Sequence, residues 1–287
     1  MLSFARRNLK IFFRDKTSVF FSLLSCFIIL GLYILFLGDT YAEGMKDLLD
    51  KDTTKLLVGV WTMAGLIAVT AVTTALGSLE PMVNDRSTKV LKDFSASPIK
   101  RSSLTGGYLI STFMVAIIMT TMVFIATQLY LFSLGLEPYA LGVYLKLLAL
   151  IILAVIAGAS MVVFIVSFFS SQSAFGVVST IVGTLIGFVT GIYIPIGSLP
   201  SGVQTVVKLF PISHVALLFK QVMMGDLINS SFANAPAEAS QEFSNVMGMS
   251  FSFGGKEFTE LASVLLVLGY SAVFLIIAWF NLSKKRK

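Results

Sequence analysis

The chain has 287 residues, of which 56% are hydrophobic and 13% charged, with a mean hydropathy of +0.89 and a pI of about 9.4. That balance excludes a water-soluble core as the organising principle and matches a protein that crosses a bilayer several times. A single Cys26 and a single His214 exclude an intramolecular disulfide and a His/Cys metal cluster.

From the N-terminus, residues 1–16 read as an interfacial amphipathic helix. Leu2, Ala5, Leu9, Phe12 and Phe13 recur at three- and four-residue spacing, with Arg6, Arg7, Lys10 and Arg14 opposite. The plainer alternative is a basic flank that only sets orientation. Six apolar runs follow, at 18–37, 56–79, 104–132, 147–168, 174–194 and 261–282. Each is long enough to cross about 30 Å of hydrocarbon as a helix. Their unbroken apolarity favours helices over barrel strands, which alternate. The first run is too long and too far from the N-terminus to read as a removable signal peptide, so it is expected to stay, with Cys26 as a small buried hydrophobe.

Loop charges set orientation, because Lys and Arg in short flanks are retained on the cytoplasmic side. With six spans, one side carries fourteen basic and four acidic residues, and the other seven basic, Lys220 among them, against eleven acidic. Both termini are therefore expected in the cytoplasm. The basic pI follows from this topology and calls for no nucleic-acid partner. The outer loop 39–52, with Asp39, Glu43, Asp47, Asp50 and Asp52, reads as a solvated cap, with cation attraction as the alternative.

The sizeable cytoplasmic segment is 80–103, with a helical pattern around Val90, Leu91 and Phe94 that ends near Pro98. Because residues 169–173 form only a tight turn, a cytoplasmic partner has to use the N-terminal helix and segment 80–103. Between Arg101 and Lys208 the only acidic or basic side chains are Glu137 and Lys146. Ion-coupled carriers need titratable groups inside the membrane, and none is expected at mid-depth here. Energy for uphill movement would have to come from another subunit. No Walker-type loop is present, since Gly255-Lys256 is followed by Glu257, so this chain does not bind ATP by that route. The spans also lack the paired acids or base that an intramembrane protease needs.

The fifth run carries Gly183, Gly187 and Gly191 at four-residue spacing, and the second carries Gly59, Thr62, Thr70, Thr73 and Gly77 on roughly one face. Close helix packing explains both stripes. The alternative is a candidate substrate path along Thr62, Thr70, Thr73, Gly183, Gly187 and Gly191. After the fifth run, Pro195, Pro200 and Pro211 interrupt apolar sequence, and 203–210 is too short to cross. A re-entrant helical hairpin entering from outside is expected, followed by a polar external stretch, 225–260. Asn229-Ser-Ser231 is only a weak sequon match.

Two segments together carry a resemblance. Asn84-Asp-Arg-Ser-Thr-Lys-Val-Leu-Lys-Asp-Phe-Ser-Ala-Ser-Pro-Ile-Lys-Arg101 resembles the acid–Arg, Leu, Ser-Pro pattern between the second and third spans of the ABC transporter type-2 permease family, the membrane subunits of type V exporters. Pro195-Ile-Gly-Ser-Leu-Pro200, with Leu209-Phe-Pro-Ile-Ser-His214, resembles the same family's re-entrant signature. Gly107 stands where many relatives have lysine, and Lys220 where arginine is common.

The resemblance implies one all-α transmembrane domain over 1–287, with six spans, an N-terminal interfacial helix and the re-entrant hairpin. It implies a homodimer, or a heterodimer with a similar permease, in lipid in a bacterial cytoplasmic membrane. Two copies of a separate subunit would bind ATP and Mg, and this chain would hold no cofactor. Asp85, Arg86, Lys89, Leu91 and Phe94 would couple to that ATPase, and Pro195, Leu199, Pro200, Pro211 and His214 would form an outer gate. The expected activity is export of a hydrophobic or amphipathic compound: an antibiotic or other drug, a peptide or a lipid-like molecule. The competing classes are a membrane scaffold or immunity protein and, third, a secondary carrier.

Overall fold

The computed structural model describes residues 1–44, 49–88, 90, 101–233, 235–253 and 256–283. Its helices in chain order are α1 (Leu2–Arg14), α2 (Lys16–Ser22), α3 (Leu24–Leu32), α4 (Gly38–Gly44), α5 (Lys51–Ser78), α6 (Glu80–Ser87) and α7 (Arg101–Ser133). There follow α8 (Leu141–Ser167), α9 (Gln172–Val189), α10 (Ser201–Leu209), α11 (Pro211–Ser231), α12 (Ala237–Val246) and α13 (Glu260–Ser283). A π-helical turn occupies Tyr33–Leu37 and a 3-10 turn Ile196–Ser198. A two-stranded antiparallel hairpin pairs Ser252–Phe253 with Lys256–Glu257. The expected all-α class is thus observed.

α5 is apolar all round, and such a helix has to be surrounded. Nearly every residue from Leu57 to Leu76 is buried, enclosed by α7, α8, α11 and the α2–α4 run. Asp50 caps its start by accepting the Thr53 N–H at 2.9 Å, and Lys51 and Lys55 pair with Asp39 at 3.2 and 2.9 Å. Missing side chains let neighbours close on it. A Cβ on Gly59 would meet the Tyr33 ring and Leu134, one on Gly77 would meet Ser22, and one on Gly158 of α8 would lie 3.0 Å from the Ala71 backbone. The packing explanation therefore holds for Gly59 and Gly77.

Among the described residues five helices are long and apolar enough to span a membrane, and two bent pairs would raise the number to seven. The last five of the six expected runs each fall on one of the five helices. The first, 18–37, is not a single rod: α2 and α3 meet at 42°. At that joint the Ser22 hydroxyl donates to the Val19 carbonyl and Leu23 N–H turns back to Phe20, where Ser22 seats against Gly77. The second bent pair is α10 with α11, which meet at 93°. Pro211 opens α11, where its missing N–H is not required.

At that end of the bundle, the Trp61 indole donates to Met247 O and Gln221 to Met249 O, both at 2.9 Å, pinning the segment after α12 to α5 and α11. Ile196, Val207, Leu217 and Phe251 form a small apolar cluster beneath it.

Replacing Gly158 with Val is expected to force α8 away from α5 and destabilise the fold by about 1–3 kcal/mol. Thermal unfolding of the purified protein should show the loss, with Gly158→Ala intermediate.

Candidate coupling site

At the Glu80 end of α5, Leu79 closes the helix and Pro81 sits in the first turn of α6, so α6 follows α5 after a single residue. On α6, Met82, Val83 and Asp85 face inward. Asp85 is 6% exposed, which would be costly for an unpaired carboxylate. It is not unpaired. Arg7 of α1 presents its guanidinium as a fork, donating to Oδ2 at 2.9 Å and to Oδ1 at 3.4 Å. The Tyr108 hydroxyl of α7 donates to Oδ2 at 2.6 Å. The Phe4 ring meets the Tyr108 ring edge-on at 4.9 Å, with Arg7 5.3 Å above Phe4. The bond to Asp85, the largest influence, holds the Arg7 guanidinium above its already high pKa.

This clasp depends on two glycines. A Cβ on Gly107 would come within 2.7 Å of Phe4, and one on Gly106 would strike Met1. Any side chain at 107 would press on α1 as it lies here. Arg86, the next residue of α6, donates to the Phe169 carbonyl in the turn between α8 and α9 at 3.2 Å. Two adjacent charged residues thus tie α6 to α1, to α7 and to the α8–α9 turn.

Beside the clasp a cleft of about 260 Å³ opens between α1, α2, α6 and the start of α9, lined by Phe12, Asp15, Ser18, Glu80, Pro81 and Gln172 among others. The Ser18 hydroxyl lies 2.7 Å from Asp15 Oδ2 and 3.1 Å from Glu80 Oε2. Hydrogen bonds from Ser18 hold the Asp15 carboxyl below its usual pKa.

Of the expected coupling residues, Asp85 and Arg86 are brought together, but Asp85 turns inward and its charge is consumed within the chain. Lys89, Leu91 and Phe94, and most of the helix expected before Pro98, lie outside the described residues. Arg7 and Tyr108 were missed, because a partner 78 residues away leaves no local pattern; the adjacent Gly106 and Gly107 are the one sequence signal of close approach.

Thr62 and Thr70 are wholly buried and Thr73 nearly so, with Thr70 bonded to Leu66 O at 2.8 Å. Gly183 faces open space, whereas the notch at Gly187 is filled by the chain's own Tyr193 ring, and Gly191 takes φ +69° where α9 ends against Ile196. The threonines are enclosed while Gly183 is open, so the two sets do not share one surface of the chain.

Pro195, Leu199 and Pro200 flank the 3-10 turn and lead into α10. His214 holds this region to the last helix. Its Nε2 lies 2.9 Å from the Lys208 carbonyl, which can only accept, so Nε2 carries the hydrogen and Nδ1 accepts from the Ser263 hydroxyl at 3.0 Å. The rings of Phe251 and Phe258 stand edge-on to the imidazole.

A family profile described as ABC-2 family transporter protein matches residues 50–280, taking in the buried α5, α6 with Asp85 and Arg86, and most of the last helix. The chain belongs to that family. No curated protein matches it. As an ABC-2 permease it is a multi-pass membrane subunit, of a kind that is generally not catalytic itself and works with an ATP-binding subunit.

The clasp has a testable energetic signature in this permease. Removing Arg7 strands a buried carboxylate, whereas removing Asp85 leaves an Arg7 that is about a third exposed and able to reach water. Arg7→Met is therefore expected to lower thermal stability more than Asp85→Asn, by about 1–3 kcal/mol. The double variant should be less destabilised than the sum of the two, as read in a double-mutant cycle.

Proposed function

We propose that the protein is the membrane half of an ATP-driven exporter that moves a hydrophobic or amphipathic compound (an antibiotic or other drug, a peptide, or a lipid-like molecule) out across the cytoplasmic membrane. Two such permeases, identical or similar, would work with two ATP-binding subunits that hold ATP and Mg, and both termini of this chain would lie on the cytoplasmic side. The observation that carries this reading is the Arg7–Asp85–Tyr108 clasp together with the Arg86–Phe169 bond. A permease driven from outside needs a stiff link between its cytoplasmic handle and its spans.

In this mechanism, closure of the nucleotide-binding dimer pushes on segment 80–103. α6 passes the motion directly to α5 across Leu79, through the clasp to α1 and α7, and through Phe169 to α9. Asp85 is then a transmitting residue rather than a contact, while Lys89, Leu91 and Phe94 supply the partner surface. The Pro195–Pro211 region, closed by His214, is the outer gate. Thr62, Thr70 and Thr73 reach substrate only when α5 parts from its neighbours. The exposed stripe of Val177, Ile181 and Leu185 around Gly183 is the face left for a second permease. For net export the substrate must bind the inward-facing state more tightly than the outward-facing one.

Purification with the cognate ATP-binding subunit and assay of substrate-stimulated ATPase and vesicle transport tests this reading. Arg86→Glu sets a carboxylate against the Phe169 carbonyl and removes a charge-assisted bond worth about 1.5–3 kcal/mol. Stimulation is expected to fall about tenfold or more, with the permease still inserted. Undiminished coupling defeats the assignment of the handle, and transport by the permease alone on a proton or cation gradient defeats the exporter.

A further inference from the structure

Lys220, counted by sequence among the external charges, is instead enclosed within the bundle, with 1% of its surface exposed. Its amino group sits 4.8 Å from the Trp61 ring centre and donates to the Thr190 carbonyl at a long 3.3 Å. Among the described residues no carboxylate pairs with it. Trp61 lies six residues beyond Lys55, about 9 Å further along the α5 axis. An ammonium has three N–H donors, and the protein groups that meet this one are a carbonyl at long range and one aromatic face. An ammonium so enclosed is expensive to keep.

Its partners come from three elements that must separate if this end of the bundle opens: α5 through Trp61, the end of α9 through Thr190, and α11 through Lys220 itself. The neighbouring bonds from Trp61 to Met247 and from Gln221 to Met249 hold the covering segment over the same spot. We infer that Lys220 is the gating residue of the outer end, an under-solvated charge whose hydration on opening drives the closed helices apart. This rests on the exporter reading for its place in a transport cycle. Replacing a buried charge with a well-packed apolar side chain commonly stabilises the arrangement that enclosed it. The closed form is therefore held against the preference of its own lysine, and whatever opens it has less work to do.

The test is Lys220→Met, of similar length and without charge, with Lys220→Gln, which keeps a donor for Thr190, in the complete complex with its ATP-binding subunit. Lys220→Met is expected to raise Tm by about 2 °C or more. Backbone hydrogen exchange at 190–200 and 245–251 should slow, and nucleotide-driven turnover should fall severalfold, with Lys220→Gln between Met and wild type. A Tm at or below wild type, or failure to fold, would mean that the ammonium holds the closed state together, and overturns the inference. Unchanged exchange at those segments overturns it as well. If wild-type protein shows no nucleotide-driven transport, the exporter reading fails on its own, and Tm and exchange still decide the role of Lys220.

Discussion

A helix with no polar side has to be enclosed, and this constraint on α5 organises the rest of the chain. α7, α8 and α11 are placed by the need to cover it, and Gly158 brings α8 close onto the Ala71 backbone. Van der Waals packing, rather than the expulsion of water, is what holds helices together in lipid, so close approach matters more here than hydrophobicity. The broken path of α2–α4 follows as well, because Ser22 has to fit against Gly77 where α2 crosses the far end of the same helix.

Polar interactions then concentrate at the two ends of α5. Near Glu80, charges are matched: Asp85 is satisfied from two helices, and Arg86 finds a carbonyl. Near Trp61 the matching is incomplete, with one lysine served by an aromatic face and a single carbonyl. A well-satisfied buried network rigidifies its surroundings, while a poorly satisfied one leaves an arrangement that is easier to leave. The contrast suits the proposed mechanism, in which force would enter at one end and the other would yield.

Much of this architecture was legible in the sequence. The runs at 56–79, 104–132, 147–168 and 261–282 could be read directly, because uninterrupted apolarity over more than twenty residues has few other solutions, and the prolines at 195, 200 and 211 marked the interruption before α11. The bend at Leu23 was hidden, because it arises from a contact between Ser22 and a glycine more than fifty residues away. Arg7 was assigned to a polar helix face, but helical periodicity says nothing about which carboxylate such a residue meets. Lys220 was placed outside because hydropathy counts charges along the chain and carries no information on depth. In the glycine ladder of α9, spacing alone could not show that Tyr193 folds back to fill the notch at Gly187.

The one-residue joint at Leu79 makes α5 and α6 the unequal arms of one lever. At 1.5 Å per residue the eight residues of α6 extend about 12 Å and the 28 of α5 about 42 Å. Were the two to pivot as one body about Leu79, a nudge of about 1 Å at the far tip of α6 would sweep the Lys51 end through about 3.5 Å. Leverage of that ratio turns a small stroke at the short arm into enough travel to unseat a side chain at the long one.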